Sequence, residues 1–387
     1  MSPAPGASPP PMCVILQVRA GSLLGWIKYR DRGLKEGVPH AAITATGHFV
    51  PPDVYPNAWF EQRLETTDDW IRSRTGIVER HFAAEGGTSD LAVPAARRCL
   101  EMRGIAPAAV DCIIVATMTP DRLCPSTAAV VQRKLGAVNA WGFDLAAACS
   151  GFIYGLVTAA KLVESGAARR VLLIGADRMS SVIDPRDRAT AVLFGDGAGA
   201  VLVEPVDDPE VGILAHVCHM DGEGETALYI PAGGSVTPAT EASVAARRHF
   251  VLQDGPAVFK AAVVGMAEVT EELLKQAELR LEDVAWLVPH QANRRIIESV
   301  AKRVGLPLDR VVITSTASAT RSAAPSPSPC RNGTTSSGSA TATASSSPPS
   351  APATPPVAST SAGPSVSSTQ PRQRSRPQRR VRTAPLI

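Results

Sequence analysis

Short apolar runs alternate with longer amphipathic segments through residues 41–313. The run at 112–117, CIIVAT, has the β-branched, uninterrupted character of a buried strand. The segment 257–277 instead repeats its apolar residues at helical spacing. This alternation predicts a layered α/β fold. The predicted strands are 41–49, 112–117, 143–145, 171–175, 198–203 and 284–288; the predicted helices are one capped by Thr66 or Thr67, 126–135, one opened by Ser150 and Gly151, 257–277 and 293–304.

Both ends of the chain differ from this body in composition. Residues 314–387 contain no Asp, Glu, Lys, Phe, Trp or Tyr, and 53 of these 74 residues are Ala, Ser, Thr or Pro. Such a segment cannot bury enough apolar area to offset its ordering entropy, so we expect it to be disordered. Residues 1–40 begin with a Pro/Ala/Ser/Gly-rich stretch, and we expect an unstructured extension there, with an organelle transit peptide as the alternative.

Charge and cysteine usage exclude several classes of protein. The tail carries eight Arg, and without them residues 1–313 hold 31 basic against 36 acidic residues. A mildly acidic body does not indicate a nucleic-acid enzyme. No stretch approaches the roughly 18 uncharged apolar residues of a membrane span, and no secretory signal is visible. The seven cysteines include no CxxC pair, so we expect reduced thiols and a cytoplasmic protein.

A cysteine stands between a predicted strand and a predicted helix in WGFDLAAACSGFIYGL, residues 141–156. Small residues flank Cys149 and allow both a sharp turn and close approach of a substrate. A thiol at a helix N-terminus has a lowered pKa, which favours the reactive thiolate. An ordinary buried cysteine is the bland alternative. The AAACSG context favours a nucleophile at Cys149.

A histidine follows another predicted strand in LVPHQANRRII, residues 287–297. His290 leaves the strand edge after Pro289 and can reach a cavity to donate or accept a proton. A satisfied structural histidine is the alternative for this residue taken alone. With Cys149 it forms a candidate Cys/His pair. The glycine-rich segment 191–200 lacks the Lys-Ser/Thr of a phosphate loop and indicates close backbone packing at a strand crossing instead.

Six motifs in order resemble β-ketoacyl-acyl-carrier-protein synthase III, a condensing-enzyme family of the thiolase fold. The resemblance runs from about Ala41 to Thr314. Its anchors are TTDDWIRSRTGI (66–77), DLAAACSGF (144–152), DPRDRAT (184–190), FGDGAGA (194–200), DGPAVFKAAV (254–263) and VPHQANRRII (288–297).

The resemblance implies a thiolase-like layered α/β/α/β/α fold of two similar halves, here 41–210 and an incomplete 211–313, in a homodimer. It implies no cofactor and no metal, in keeping with histidines and cysteines that form no ligand cluster. The implied reaction moves an acyl group from coenzyme A to a cysteine. Malonyl-acyl-carrier protein then loses carbon dioxide, and its carbanion attacks the acyl-cysteine. Acyl-CoA and malonyl-carrier protein are thus the implied partners, with no nucleic acid and no membrane.

Residue by residue, the resemblance assigns Cys149 as nucleophile and His290 as the histidine that stabilises the enolate. It assigns coenzyme A and pantetheine contacts to Trp70, Arg74, Arg188 and Asn293. Carrier docking falls to Gln291, Ala292, Arg294, Arg295 and Lys260. The acyl pocket falls to Cys124, across the dimer contact, and to Phe194; the small Cys124 leaves room for a larger primer. For the arginines, solvated surface charge is the alternative.

The resemblance ends abruptly near Thr314. The family continues with a GNTSAAS-like motif, whose asparagine is catalytic, and with a glycine-rich segment and final strands that this sequence lacks. Read from the third base of each codon, Ser318 to Arg321 can encode Gly-Asn-Thr. We therefore hypothesise a frameshift near residues 314–316. The alternatives to condensation are acyl transfer alone, which does not need the asparagine, and an inactive truncated product; a cysteine protease leaves the coenzyme A motifs unexplained.

Overall fold

The structure, a computed structural model, describes residues 15–18, 39–208 and 211–314. Every predicted strand and helix of the body is present, with ends shifted by a few residues. The strands are β1 (Ile15–Val18), β2 (His40–Phe49), β3 (Val54–Pro56), β4 (Glu79–His81), β5 (Cys112–Ala116), β6 (Trp141–Leu145), β7 (Val171–Arg178), β8 (Asp196–Val206), β9 (Leu228–Tyr229), β10 (Leu252–Gln253) and β11 (Val284–Val288). The helices are α1 (Asn57–Glu61), α2 (Asp68–Thr75), α3 (Thr88–Arg103), α4 (Thr127–Leu135), α5 (Gly151–Glu164), α6 (Arg188–Ala191), α7 (Glu241–Ala245), α8 (Gly255–Gln276) and α9 (Arg294–Val304).

A five-stranded mixed sheet in the order β2–β8–β7–β5–β6 organises the first half. Strand β8 runs antiparallel to β2 and β7, whereas β5 is parallel to both β7 and β6. Successive side chains of β5 serve opposite faces. Ile113 and Val115 join the core formed with α3 and α4, and Cys112 and Ile114 join the core formed with α5. Burial on both faces explains why β5 is apolar throughout.

The glycine-rich segment 191–200 leads into this sheet and does not form a phosphate-binding loop. Its second half is the start of β8, the strand between β2 and β7, where Gly199 lies opposite Gly175. Close approach is also needed at Gly47 of β2. A Cβ there would lie 2.2 Å from the backbone oxygen of Ala95 in α3. Helix α3 can therefore press against the sheet only because this position has no side chain.

Local signals set the helix ends. The Thr67 side chain caps α2 by accepting from the Trp70 N–H at 3.1 Å, and Asn293 caps α9 by accepting from the Ile296 N–H at 2.9 Å. Gly136 and Gly305 end α4 and α9 in the left-handed region, with φ of 79° and 83°. These boundaries agree with the sequence pattern to within one residue.

Helices α8 and α9 pack on β11 in a separate apolar cluster that includes Met266, Leu287 and Ile297. Leu287 forms a parallel bridge to Val311 on one side of β11, and β1 pairs antiparallel on the other. The sequence analysis predicts an unstructured extension at 1–40, and the structure describes only 15–18 and 39–40 of it. Residues 15–18 form β1, and residue 40 begins β2. The apolar character of Ile15, Leu16 and Val18 suits a strand. The low-complexity tail and the proposed frameshift lie almost wholly in 315–387, outside the described residues.

Within the described part of the chain, no helix combines the length and the apolar character that a membrane crossing requires.

Candidate active site

Cys149 lies where β6 gives way to α5. A single 3₁₀ turn, Ala148–Ser150, joins them and α5 begins at Gly151. Ala148 adopts φ of 45°, a left-handed conformation that costs a non-glycine residue roughly 1–2 kcal/mol. The thiol is half-buried. A strained turn before the nucleophile candidate thus presents a thiol at the start of a 14-residue helix, where the helix dipole favours negative charge.

His290 follows β11 and makes a side-chain hydrogen bond with Cys149. The two candidates are 141 residues apart in sequence, and the structure brings them into contact as the sequence analysis expects. Burial raises the pKa of the Cys149 thiol, but the His290 charge and hydrogen bond outweigh burial and leave that pKa below its ordinary value. Burial lowers the pKa of His290, and the Cys149 charge and hydrogen bond raise it overall. A lowered thiol pKa beside a raised imidazole pKa favours a thiolate–imidazolium pair.

A buried carboxylate beside this pair escaped the sequence analysis. One oxygen of Asp177 accepts hydrogen bonds from the hydroxyls of Thr117 and Thr119, both at 3.0 Å, and from the Met118 N–H at 2.8 Å. Burial raises the pKa of Asp177 despite these donors. Its charge also acts on Cys149, in the direction that raises the thiol pKa. Asp177 fixes the loop after β5, and its charge partly opposes the lowering of the Cys149 pKa by His290.

Trp70 and Arg188 face each other although 118 residues separate them. The guanidinium carbon of Arg188 lies 4.8 Å from the centroid of a Trp70 ring, and its Nη1 donates to the Glu65 backbone oxygen at 3.0 Å. Arg74 is exposed in the last turn of the same helix as Trp70. A flat ring beside a guanidinium is a pair of groups that can stack on a nucleobase, and exposed arginines offer charge to phosphates.

Helix α9 displays part of its basic side chains and neutralises the rest. Arg294 is paired with Glu298 at 2.6 Å, and Arg303 with Glu268 at 3.4 Å. The exposed Arg295 lies over the Phe259 ring at 5.5 Å, and none of the described carboxylates pairs with it. Lys302, which the sequence analysis missed, is exposed two turns further along the helix, and Lys260 is exposed on α8. Helical periodicity links residues 295 and 302, so the signal was present in the sequence.

Two predicted docking residues face inward. The Gln291 amide nitrogen donates to the Pro289 and Val312 backbone oxygens, both at 2.9 Å, and its oxygen accepts from the Thr314 N–H at 2.8 Å. Ala292 packs against the α8–α9 core. Gln291 thus anchors the segment after Val311, and its role in carrier docking stays a prediction. Asn293 is predicted to contact pantetheine, and its side-chain oxygen accepts the hydrogen bond that caps α9.

The predicted acyl-pocket residues lie in different surroundings. Phe194 is half-buried in the aromatic cluster that includes Trp59, Phe60 and Trp70. Cys124 is exposed on the loop before α4, beside Leu123, which is 92% exposed. Nothing described within this single chain joins them. Among the residues that the structure describes, no group of three or more His, Cys, Asp or Glu could hold a metal ion.

Comparison with known proteins decides the family. The relative from Koribacter versatilis named beta-ketoacyl-[acyl-carrier-protein] synthase III is 51% identical over 278 residues, which cover 71% of this chain and 84% of the relative. This chain belongs to the β-ketoacyl-acyl-carrier-protein synthase III family. Family models described as 3-oxoacyl-[acyl-carrier-protein] synthase III and as its C-terminal part match residues 143–222 and 274–329. The expected transferase family is thus confirmed.

Other members of the synthase III family agree in sequence and in fold. The relative of the same name from Chlorobaculum tepidum is 49% identical over 276 residues, covering 70% of this chain and 84% of the relative. The crystal structure of 3-oxoacyl-[acyl-carrier-protein] synthase III from Aquifex aeolicus superposes with a TM-score of 0.67 at 38% identity, covering 74% of this chain and 87% of that one. The expected thiolase-like mixed α/β fold is confirmed.

Proposed function

We propose that this chain starts fatty-acid synthesis by condensing an acyl-CoA primer with malonyl-acyl-carrier protein. The observation that carries the proposal is the hydrogen-bonded pair of Cys149 and His290. A thiol with a lowered pKa, held at a helix start, is an acceptor for an acyl group. An adjacent histidine with a raised pKa is a proton reservoir for the leaving group. Membership of the synthase III family supports acyl-CoA and malonyl-acyl-carrier protein as the substrates.

In the first step, the Cys149 thiolate attacks the thioester carbonyl of the primer. A carbon–sulfur bond forms to Cys149, the bond to the coenzyme A sulfur breaks, and the departing thiolate takes the proton held by His290. The backbone N–H of Cys149, at the start of α5, is suited to stabilise the oxyanion of the tetrahedral intermediate. The products are acyl-Cys149, free coenzyme A and a neutral imidazole.

In the second step, the malonyl carboxylate leaves as carbon dioxide and its electron pair forms the thioester enolate. His290 donates a hydrogen bond to the enolate oxygen. The enolate carbon attacks the acyl-Cys149 carbonyl, a carbon–carbon bond forms, and Cys149 departs as a thiolate. Uptake of one proton from solvent by His290 restores the thiolate–imidazolium pair. The two steps then balance without an oxidant, a reductant or a metal, so we propose that no cofactor takes part.

The experiment follows both substrates at once. With acetyl-CoA and malonyl-carrier protein labelled in the free carboxyl carbon, we expect labelled carbon dioxide and acetoacetyl-carrier protein in equal amounts. Free coenzyme A without carbon dioxide would instead establish acyl transfer alone. That second candidate is favoured by one observation, the absence of the family's GNTSAAS-like motif from the sequence. Neither product would refute both candidates.

Coenzyme A is the proposed donor because of the Trp70–Arg188 pair. The contact of the Arg188 guanidinium with the Trp70 ring brings an aromatic surface and a positive charge together, which supports an adenine site at this position, and Arg74 on the same helix supports phosphate binding. The end of that helix lies against α9: a Cβ on Gly76 would meet the Cβ of Arg294 at 2.8 Å. A nucleotide at Trp70 would therefore lie near the loop that carries His290, and the Asn293 amide nitrogen, which takes no part in the helix cap, would be available to the pantetheine arm.

Carrier-protein docking is proposed for Arg295, Lys302 and Lys260, which offer positive charge to an acidic partner. We expect Arg295→Glu to raise the KM for malonyl-carrier protein about tenfold, equivalent to roughly 1.4 kcal/mol. Cys149 acylation by acetyl-CoA should stay within about twofold, because that step needs no carrier. The measurement is steady-state kinetics at two salt concentrations, since screening should narrow the difference.

Arg169→Glu is the matched control. It makes the same charge change at an exposed position that precedes β7, at the opposite end of that strand from Asp177. An equal rise of KM in both variants would show a general charge effect and contradict docking at α9.

A homodimer is proposed, with β6 at its interface. This strand is an edge of the five-stranded sheet, and Trp141 is 50% exposed there, stacked on Phe143 with 6.1 Å between ring centroids. An apolar open edge is suited to pair with a second copy. The exposed Cys124 and Leu123 would then be available to line the partner's acyl pocket near Phe194, and the small Cys124 would admit primers larger than acetyl.

A frameshift near residues 314–316 is proposed to account for the tail. In support, the low-complexity composition begins near residue 314, where the family's GNTSAAS-like motif is expected. Genomic sequencing across codons 310–330 tests it. An alternative frame encoding Gly-Asn-Thr supports the hypothesis, and its absence overturns it. A cytoplasmic location is proposed because none of the five described cysteines forms a disulfide.

A further inference from the structure

Arg80 on β4 is an arginine with no exposed surface, and no described carboxylate lies within ion-pair distance of it, although the charge of nearby Asp68 acts to raise its pKa. Its Nε donates to the Val192 backbone oxygen at 3.0 Å, and Nη2 donates to the same oxygen. Nη1 donates to the side-chain oxygen of Asn57, and the guanidinium carbon lies 4.4 Å from the Phe60 ring centroid. Burial lowers the pKa of Arg80 to about 10, so it stays charged at neutral pH.

Such a group is an expensive way to fill a core. Apolar residues of similar volume commonly stabilise a fold as well as a buried charge does, so stability alone does not account for Arg80. Its five donors in a rigid plane do what no apolar residue can: they set the distance and angle between the groups that accept from them.

One end of this network is the start of α2. The Asn57 amide nitrogen donates to Asp68 Oδ1 at 2.7 Å and to the Ile77 backbone oxygen at 2.9 Å. Asp68 is the first residue of α2, two residues before Trp70, and Ile77 follows the end of that helix. Asn57 therefore holds both ends of the helix that carries Trp70, and its side-chain oxygen links that helix to Arg80.

The other end is α6. Val192 directly follows α6, is buried, and offers its carbonyl to two Arg80 nitrogens. Arg188 is the first residue of α6 and lies over Trp70. A continuous path of contacts therefore joins the two groups of the nucleotide site through the core. It runs Trp70–Asp68–Asn57–Arg80–Val192–Arg188, and the contact of Arg188 with Trp70 closes it into a ring.

We infer that Arg80 is a positioning residue that sets the spacing between Trp70 and Arg188 and so tunes binding of the nucleotide end of the acyl donor. The inference rests on the proposed coenzyme A site. It predicts a selective defect: a donor that carries the nucleotide is bound less well, whereas one that carries only the thioester and pantetheine arm is not affected.

The experiment compares acetyl-CoA with S-acetylpantetheine, which lacks the nucleotide, as acyl donors to Cys149. We expect Arg80→Met to raise the KM for acetyl-CoA by about 10- to 100-fold, while kcat/KM for S-acetylpantetheine stays within about threefold. Arg80→Lys keeps the charge but cannot serve Val192 and Asn57 together, so it should be intermediate. Equal losses with both donors, or no change with either, would overturn the inference.

Asp68→Ala keeps the test decisive if Arg80→Met does not fold, because Asp68 is partly exposed and belongs to the same path. It should show the same donor selectivity with a smaller rise of KM. The control is Asp69→Ala, an exposed neighbour in the same helical turn that contributes no side-chain hydrogen bond to this path. Donor selectivity in Asp69→Ala equal to that in Asp68→Ala would contradict the inference.

Trp70→Ala separates this inference from the proposed function. If Trp70→Ala lowers kcat/KM for acetyl-CoA and for S-acetylpantetheine by the same factor, the nucleotide site is misassigned and the inference is refuted with it. If it is selective while Asp68→Ala and the Arg80 variants are not, the nucleotide site stands and only the positioning role of Arg80 is refuted.

Discussion

We expect replacement of Cys149 with alanine to abolish acyl transfer from acetyl-CoA and to lower condensation by at least roughly 10⁴-fold, because the covalent intermediate cannot form. The loss lies in kcat, since the donor site around Trp70 and Arg188 is not altered. Intact mass after incubation with acetyl-CoA should show no acyl adduct. Ala148 should tolerate the change next to it, because the turn that strains its backbone is set by β6 and α5 and not by the thiol.

Cys218→Ala is the matched control, since Cys218 is an exposed cysteine elsewhere in the chain. It should acylate as the parent chain does. An adduct of one acyl group that persists in Cys149→Ala and disappears in Cys218→Ala would contradict the assignment of the nucleophile.

His290→Ala should change the reaction in two separable ways. The charge and hydrogen bond of His290 lower the pKa of Cys149, so without them that pKa rises and less thiolate is present at neutral pH. The pH profile for alkylation of Cys149 by iodoacetamide should therefore shift to higher pH. In the parent chain, alkylation should begin below the ordinary thiol pKa of about 8.5. Condensation should also fall by roughly 10²–10³-fold through loss of the enolate donor.

His219→Ala controls for the loss of an imidazole at another site, because His219 is exposed and pairs with Glu272 at 2.7 Å. Its alkylation profile should match the parent chain. If the profile of His290→Ala also matches the parent chain, the contact between His290 and Cys149 does not set thiol reactivity, and the thiolate–imidazolium pair is refuted.

Features encoded by neighbouring residues were predictable from the sequence. The caps at Thr67 and Asn293 and the glycine stop at Gly136 are local, because each depends on residues within one helical turn. The placement of Cys149 at a helix start follows from small residues after a strand. The resemblance then paired Cys149 with His290, and the structure brings the two together.

Features that depend on distant partners were not predictable in this way. Arg80 stands in VERH among polar residues, a pattern typical of a surface, yet its partners Asn57 and Val192 lie 23 and 112 residues away. Gln291 is predicted to contact a partner, and the linear pattern gives no sign that its amide also binds Val312 and Thr314. Asp177 ends β7 like many surface carboxylates and is buried only because the loop after β5 closes over it. Tertiary contacts decide each of these positions.

The most direct test of the central claim is a single-turnover chase followed by intact mass spectrometry. The chain is first acylated with acetyl-CoA, freed of excess donor, and then mixed with malonyl-carrier protein. The account predicts a gain of one acetyl group on Cys149, followed by its loss at the same rate at which acetoacetyl-carrier protein appears. An acetyl group that remains on Cys149 while acetoacetyl-carrier protein accumulates, or that is lost without that product, would contradict it.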